Sequence, residues 1–137
     1  MKRTPLVRKT GLKPKRKTKQ STLKNQADKY ARDFVMKRDL DCVAANFELL
    51  GRVIHCTDRC EWAHLKSRSH ATIRHDPRNA VKLCWAHHKF FTNHPDLWTQ
   101  FIEKLYPGRW QELNVVLQRR VKPDYQFWID YYKEVAA

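Results

Sequence analysis

A chain of 137 residues with 42% hydrophobic content can build one small core. Its net charge of +14 and pI near 9.9 make a polyanion, nucleic acid first, the expected partner. No run of about 18 apolar residues is present, so a transmembrane span is excluded, and no apolar stretch near the N-terminus could serve as a signal-peptide core. The chain is therefore expected in the cytoplasm with no membrane partner, where clustered Cys and His favour metal over disulfide.

Residues 1–24 hold ten of the positive charges and no acid, leaving +4 for the remainder. With so few aliphatic residues the segment cannot bury enough surface to order itself, and it is expected to be a disordered basic arm. Lys13, Lys15, Arg16 and Lys17 are candidate phosphate contacts that carry no sequence preference; the alternative is a tail that merely solubilises.

The remainder, 25–137, is expected to be one domain with its core at about 42–94. From about Asn25 to Asp39, Ala27, Tyr30, Ala31, Phe34 and Val35 recur at spacings of three and four and predict a helix. Cys42 follows, and Val43 to Ile54, broken by Gly51, suits a short strand or irregular hairpin. Val53 to Leu65 is expected to form a hairpin returning along Arg59 to Leu65. Strand alternation then sets Cys60, Trp62 and His64 on one face and Glu61 and Ala63 on the other. Lys66 to Arg78 has no period and contains Pro77, which predicts a loop, and Leu83 to Phe91 is expected to be helical. C-terminal helices are expected over 95–136. Their stripes are Leu97, Trp98, Phe101, Ile102 and Leu105; then Trp110, Leu113, Val116, Leu117 and Val121; then Phe127, Trp128, Tyr131, Tyr132 and Val135. Aromatic residues at helical spacing are expected in the core rather than as a base-stacking platform.

All seven histidines and three of the four cysteines lie between positions 55 and 94. A structural zinc ion needs four tetrahedral ligands, usually two Cys or His pairs brought together by the fold. Cys84-x-x-His87 makes one pair, since a two-residue gap at a helix start lets both side chains face one ion. Cys42, Cys56 and Cys60 compete for the other two places; Cys42 and Cys56 are favoured, with Cys60 a buried thiol or an alternative ligand. His55, His70, His75 and His94 are expected to be surface or supporting residues.

A second group is formed by Ala63-His64-Leu65, Asn79, and Cys84-x-x-His87-His88. In order and context it resembles the HNH endonucleases, whose members commonly carry Cys-x-x-Cys-His where this chain has Cys84-x-x-His87-His88. The resemblance spans roughly Cys42 to His94. It implies an α+β chain with a ββα-metal core, a zinc-stabilised hairpin and flanking helices, hydrolysing DNA phosphodiester bonds with Mg²⁺ or another divalent ion. By position, His64 would be the general base, Asn79 the residue orienting it, and His88 a ligand of the catalytic ion. The chemistry is sound on its own terms, because a neutral imidazole accepts a proton near neutrality and a dication offsets charge on a phosphate. Many members carry Asp or His just before the base where this chain has Ala63, so Glu61 is the candidate second ligand. Lys66 and Arg68, beyond the base, are candidate nucleic-acid contacts.

The chain also resembles small phage or prophage HNH proteins linked to recombination and DNA processing. That implies a bacterial host cell, double- or single-stranded DNA as the partner, and recombination proteins as further ones. The competing class is a zinc-stabilised nucleic-acid-binding module without catalysis, which would need the cysteines and the basic arm but not His64 and Asn79.

Overall fold

A computed structural model describes residues 19–49 and 51–136; the arm residues Lys13, Lys15, Arg16 and Lys17 lie outside them. The chain is mixed α+β. Helix α1 (Lys19–Arg38) leads to a minimal hairpin, β1 (Glu48–Leu49) and β2 (Arg52–Val53), and then to β3 (Cys60–His64). A single 3-10 turn (Pro77–Asn79) precedes β4 (Ala80–Cys84), which runs directly into α2 (Trp85–Asn93). Helices α3 (Pro95–Leu105), α4 (Arg109–Gln118) and α5 (Tyr125–Val135) complete the chain.

Helix α1 begins at Lys19, inside the segment expected to be disordered, because the Ala27, Ala31 and Val35 stripe is buried and Lys, Gln and Leu residues can extend it backward. The β1–β2 turn uses Gly51 at φ +74, a conformation a side chain would strain. The return strand expected to pair with Val53 pairs instead with β4, in the register Cys60 to Cys84 through His64 to Ala80. This partner strand differs from the expectation because Ala80–Cys84 is buried on both faces apart from Lys82, and a short apolar run of that kind reads equally well as a helix start.

The β3–β4 hairpin separates two apolar clusters. Ala63, Val81 and Leu83 face α2, α3 and α4, where Phe91, Ile102 and Leu113 are buried. Trp62 and Ala80 face α1 and α5, packing with Ala31, Val35 and Tyr132. Each fully buried Leu or Ile here contributes about 1.5–3 kcal/mol by leaving water. The outer edge of β4 is covered: Arg38 donates to the Ala80 carbonyl at 2.8 Å, the Lys82 N–H donates to Asp39, and the Val43 N–H donates to the Lys82 carbonyl. Most of the helical aromatics do pack internally, Phe91 against Phe47, Trp98 and Phe101 at 5.0–5.1 Å. Phe127 is different, being 55% exposed, and on α5 Ile129 joins Tyr132 inside. No helix among the described residues is long and apolar enough to cross a membrane.

Candidate metal centre and the cleft beside it

Cys42 leaves α1 in the turn tied to β4, Cys56 lies on the loop after β2, and Cys84 is both the last residue of β4 and the N-cap of α2, its sulfur accepting the His87 N–H. His87 sits in the first turn of that helix, so the two-residue gap places both side chains on one side, as the sequence predicts. The donor atoms of Cys42, Cys56, Cys84 and His87 all lie within 4.8 Å of one another. From His87 Nδ1 the sulfurs of Cys42 and Cys56 are each 3.6 Å away. A tetrahedral ion with ordinary Zn–S and Zn–N bonds would set that edge at about 3.6 Å. The Cys84 sulfur is closer, at a hydrogen-bonding 2.9 Å. His87 Nε2 is buried with no hydrogen-bond partner among the described residues, so every polar contact of the ring is on the sulfur side.

Burial opposes ionisation of Cys84, but hydrogen bonds from His87 and Thr57 outweigh it and bring the thiol down to about 6. Burial pushes Cys42 up to about 12 and also raises Cys56. Three sulfurs this close repel one another as thiolates, and a dication is the group that would let them ionise together. The set could therefore hold a metal ion, and its sulfur-rich composition without carboxylate suits zinc. Cys60 is not a member: fixed in the β ladder opposite Cys84, it leaves its sulfur outside the cluster, whereas Cys56, on a loop, reaches it.

Beside β3 lies a cleft of about 420 Å³ between α1 and α2, lined by Arg32, Arg59 and Arg68 together with Asp28 and Trp62. Glu61 and His88 both line it and touch each other, Nδ1 to Oε2 at 2.5 Å. Arg68 lies over the Trp62 ring, and Lys66 over Trp110, 5.5 Å from its centre.

His64 ends the same strand on the opposite face from Glu61 and is not part of the cleft wall, although its ring stands edge-on to Trp62 at 4.2 Å. Its Nε2–H donates to the Arg74 carbonyl at 2.9 Å; a carbonyl can only accept, which fixes the tautomer and leaves Nδ1 as the lone-pair nitrogen. Burial lowers its pKa to about 4, with the Arg68 and Arg74 charges adding to the effect against the carbonyl bond, so the ring is neutral at physiological pH. Asn79, wholly buried, does not touch His64. Its Oδ1 accepts the Lys66 N–H at 2.7 Å and its Nδ2 donates to the Lys66 and Ile73 carbonyls at 3.2 Å, closing the loop that carries Arg74.

His55, His70 and His94 are exposed. His75, expected to be a surface or a supporting residue, is of the second kind: it is 0% exposed and bonds through Nε2 to Asp28 at 2.6 Å. Asp28 and Arg74, which sequence reasoning does not single out, form a two-point ion pair at 2.7–2.8 Å. Burial alone would raise the Asp28 pKa, but its bonds to His75 and Arg74 hold it well below the usual carboxylate range. No spacing signal could have found these residues, because the partners lie on elements far apart in the chain. No family model, curated protein or solved structure matches the chain.

Proposed function

We propose that the chain is a metal-dependent endonuclease of the HNH type that hydrolyses DNA phosphodiester bonds. The observation that carries this reading is His64, an imidazole at a strand end held neutral and in one tautomer beside an arginine-lined cleft. An imidazole with Nε2 committed as donor keeps Nδ1 to take a proton from water. The water oxygen then bonds to phosphorus, the bond to the leaving oxygen breaks, and that oxygen takes a proton from solvent. A divalent cation, when bound, supplies positive charge beside the phosphate and the leaving oxygen. Glu61 and His88 are the residues that would hold it, as two protein donors with the remaining positions left to water and phosphate. Arg32, Arg59 and Arg68 offer charge to the backbone without reading bases. The strand that carries Glu61 and His64, its partner β4 and the helix that carries His88 follow one another in the order β3, β4, α2, which agrees with a ββα-metal core.

Purified protein incubated with plasmid DNA and Mg²⁺, Mn²⁺ or Ni²⁺ should nick or cut it, and EDTA should stop the reaction. His64→Ala should lose at least about 100-fold in rate while keeping its melting temperature within a few degrees and its DNA affinity unchanged. Undiminished cleavage by this variant would remove His64 as the base. One observation favours a second reading, a zinc-stabilised binding module without catalysis. His64 stands about 10 Å along the strand from Glu61 and on the other face. DNA binding without metal-dependent cleavage would select it.

A further inference from the structure

Outside the Cys–His cluster, and reaching the cleft wall at Asp28, a polar arrangement surrounds Ile73, Arg74 and His75, and each of these three consecutive residues is held from a different direction. The Ile73 carbonyl accepts from Asn79 Nδ2 at 3.2 Å. The Arg74 guanidinium donates through Nε and Nη2 to both oxygens of Asp28, at 2.8 and 2.7 Å. His75 Nε2 meets the same carboxylate at 2.6 Å, and the Tyr132 hydroxyl donates to the His75 carbonyl. Between these anchors lies the one backbone carbonyl that takes the His64 Nε2–H.

Asp28 is on α1 and Tyr132 on α5, so two helices outside the hairpin and its helix fix the short segment against which His64 rests. The carboxylate has a buried alanine beside it and another one turn away, Ala27 and Ala31, which seat its helix against the fold. A planar guanidinium bound at two points to such an anchor cannot swing, and a neighbouring residue bound to the same carboxylate removes the remaining freedom.

We infer that Asp28 is a positioning residue for His64, acting through Arg74 and His75 to set the carbonyl that fixes the imidazole. The catalytic purpose of this clamp rests on the proposed role of His64 as general base. The fixing of the ring does not.

Charge and clamp make opposite predictions for His64. The charged groups acting on its imidazole are Arg68 and Arg74, which disfavour protonation, and Asp28, which favours it. If Asp28 acted only by its charge, removing that charge would lower the His64 pKa further. If it acts as a clamp, removing it lets the loop loosen and the ring hydrate, and the pKa rises toward the ordinary imidazole value.

The test is ring ¹⁵N NMR of the zinc-loaded full chain, titrated from pH 8 to 4, for wild type, Asp28→Asn and Tyr132→Phe. Wild type should show His64 as the Nε2–H tautomer throughout its neutral range. Asp28→Asn should show both tautomers and a His64 pKa at least one unit higher. Tyr132→Phe, which keeps its ring in the core and frees only the His75 carbonyl, should move both in the same direction by less. An unchanged tautomer and pKa in Asp28→Asn, or a lowered pKa, would overturn the inference. If Asp28→Asn fails to fold, Tyr132→Phe decides: a His64 signal identical to wild type overturns it.

In cleavage assays Asp28→Asn should lose up to about 100-fold in kcat, with KM for DNA unchanged or lowered because the carboxylate it removes lies in the cleft wall, and the acid limb of its pH profile should move up with the NMR pKa. Wild-type protein that cleaves no DNA would overturn the nuclease reading and the catalytic purpose of the clamp, while the NMR result would still decide whether Asp28 fixes the ring.

Discussion

At one end of the β3–β4 hairpin, where Cys60 faces Cys84, four donors converge on a space fit for an ion. At the other end, where His64 faces Ala80, a single imidazole donates one hydrogen bond to a loop that two helices hold from behind. The first end gathers its ligands from a loop, a turn and a helix cap, whose ties include the bonds from the Val43 N–H to the Lys82 carbonyl and from the Ala86 N–H to the Thr57 hydroxyl, and a metal ion bound by all four donors would add to that cohesion. The second has cohesion already, in the buried Asn79 and in the Asp28, Arg74 and His75 cluster. Removing one donor should therefore be a folding event at the first end and a functional event at the second.

The largest expected effect is at the metal end. Cys84→Ser should cost about 4 kcal/mol or more and lower Tm by about 15 °C, with zinc content falling to match when measured by elemental analysis. A soluble variant with full zinc and an unchanged Tm would show that this end of the hairpin holds together without the Cys84 thiolate.

The imidazole end should appear instead in the pH dependence. His64 has a folded pKa of about 4 against an ordinary 6.5, so the unfolded chain takes up the proton first. The stability it contributes is fully present above pH 6.5 and is lost as the pH falls toward 4. Between pH 7 and pH 5 wild type should lose about 2 kcal/mol more than His64→Gln, read from denaturant midpoints at saturating zinc. Parallel losses in the two proteins would show the ring to be freely hydrated.

The smallest effect on either end should come from deleting residues 1–18. DNA affinity should fall alike for all sequences, and the salt slope should shrink by about 0.9 for each phosphate that the arm no longer neutralises. Tm, zinc content and cleavage at saturating DNA should stay put. A truncated protein that binds as full length does would make the arm a solubility tail, and one that cannot cut at saturation would give the arm a part in the site.

The metal set is legible in the sequence because its chemistry is local in kind: Cys-x-x-His has one useful geometry at a helix start, and the two further sulfurs need only to be near. Helices α3, α4 and α5 are legible because their apolar residues repeat at the helical period. Strand β4 is not, since a five-residue stretch buried on both faces carries no alternation to betray it. Whether His75 lies at the surface or supports the site is not legible, because the carboxylate that makes its burial tolerable is Asp28, 47 positions away, and no spacing rule links them. Cys60 stays open as an alternative to the favoured Cys56 until the ladder fixes its backbone.

The adjacent pair His87 and His88 divides its labour by angle. Successive residues on an α-helix diverge by about 100°, which turns His87 into the sulfur cluster and His88 toward Glu61 on the cleft side. Cys84, as the N-cap, sets the rotational phase of α2. One residue inserted between Cys84 and His87 would turn the rest of the helix like a key, carrying both imidazoles off their targets without changing any side chain in either site. The two-residue gap is thus a clocking device, by which the Cys–His cluster dictates the direction in which the cleft histidine points.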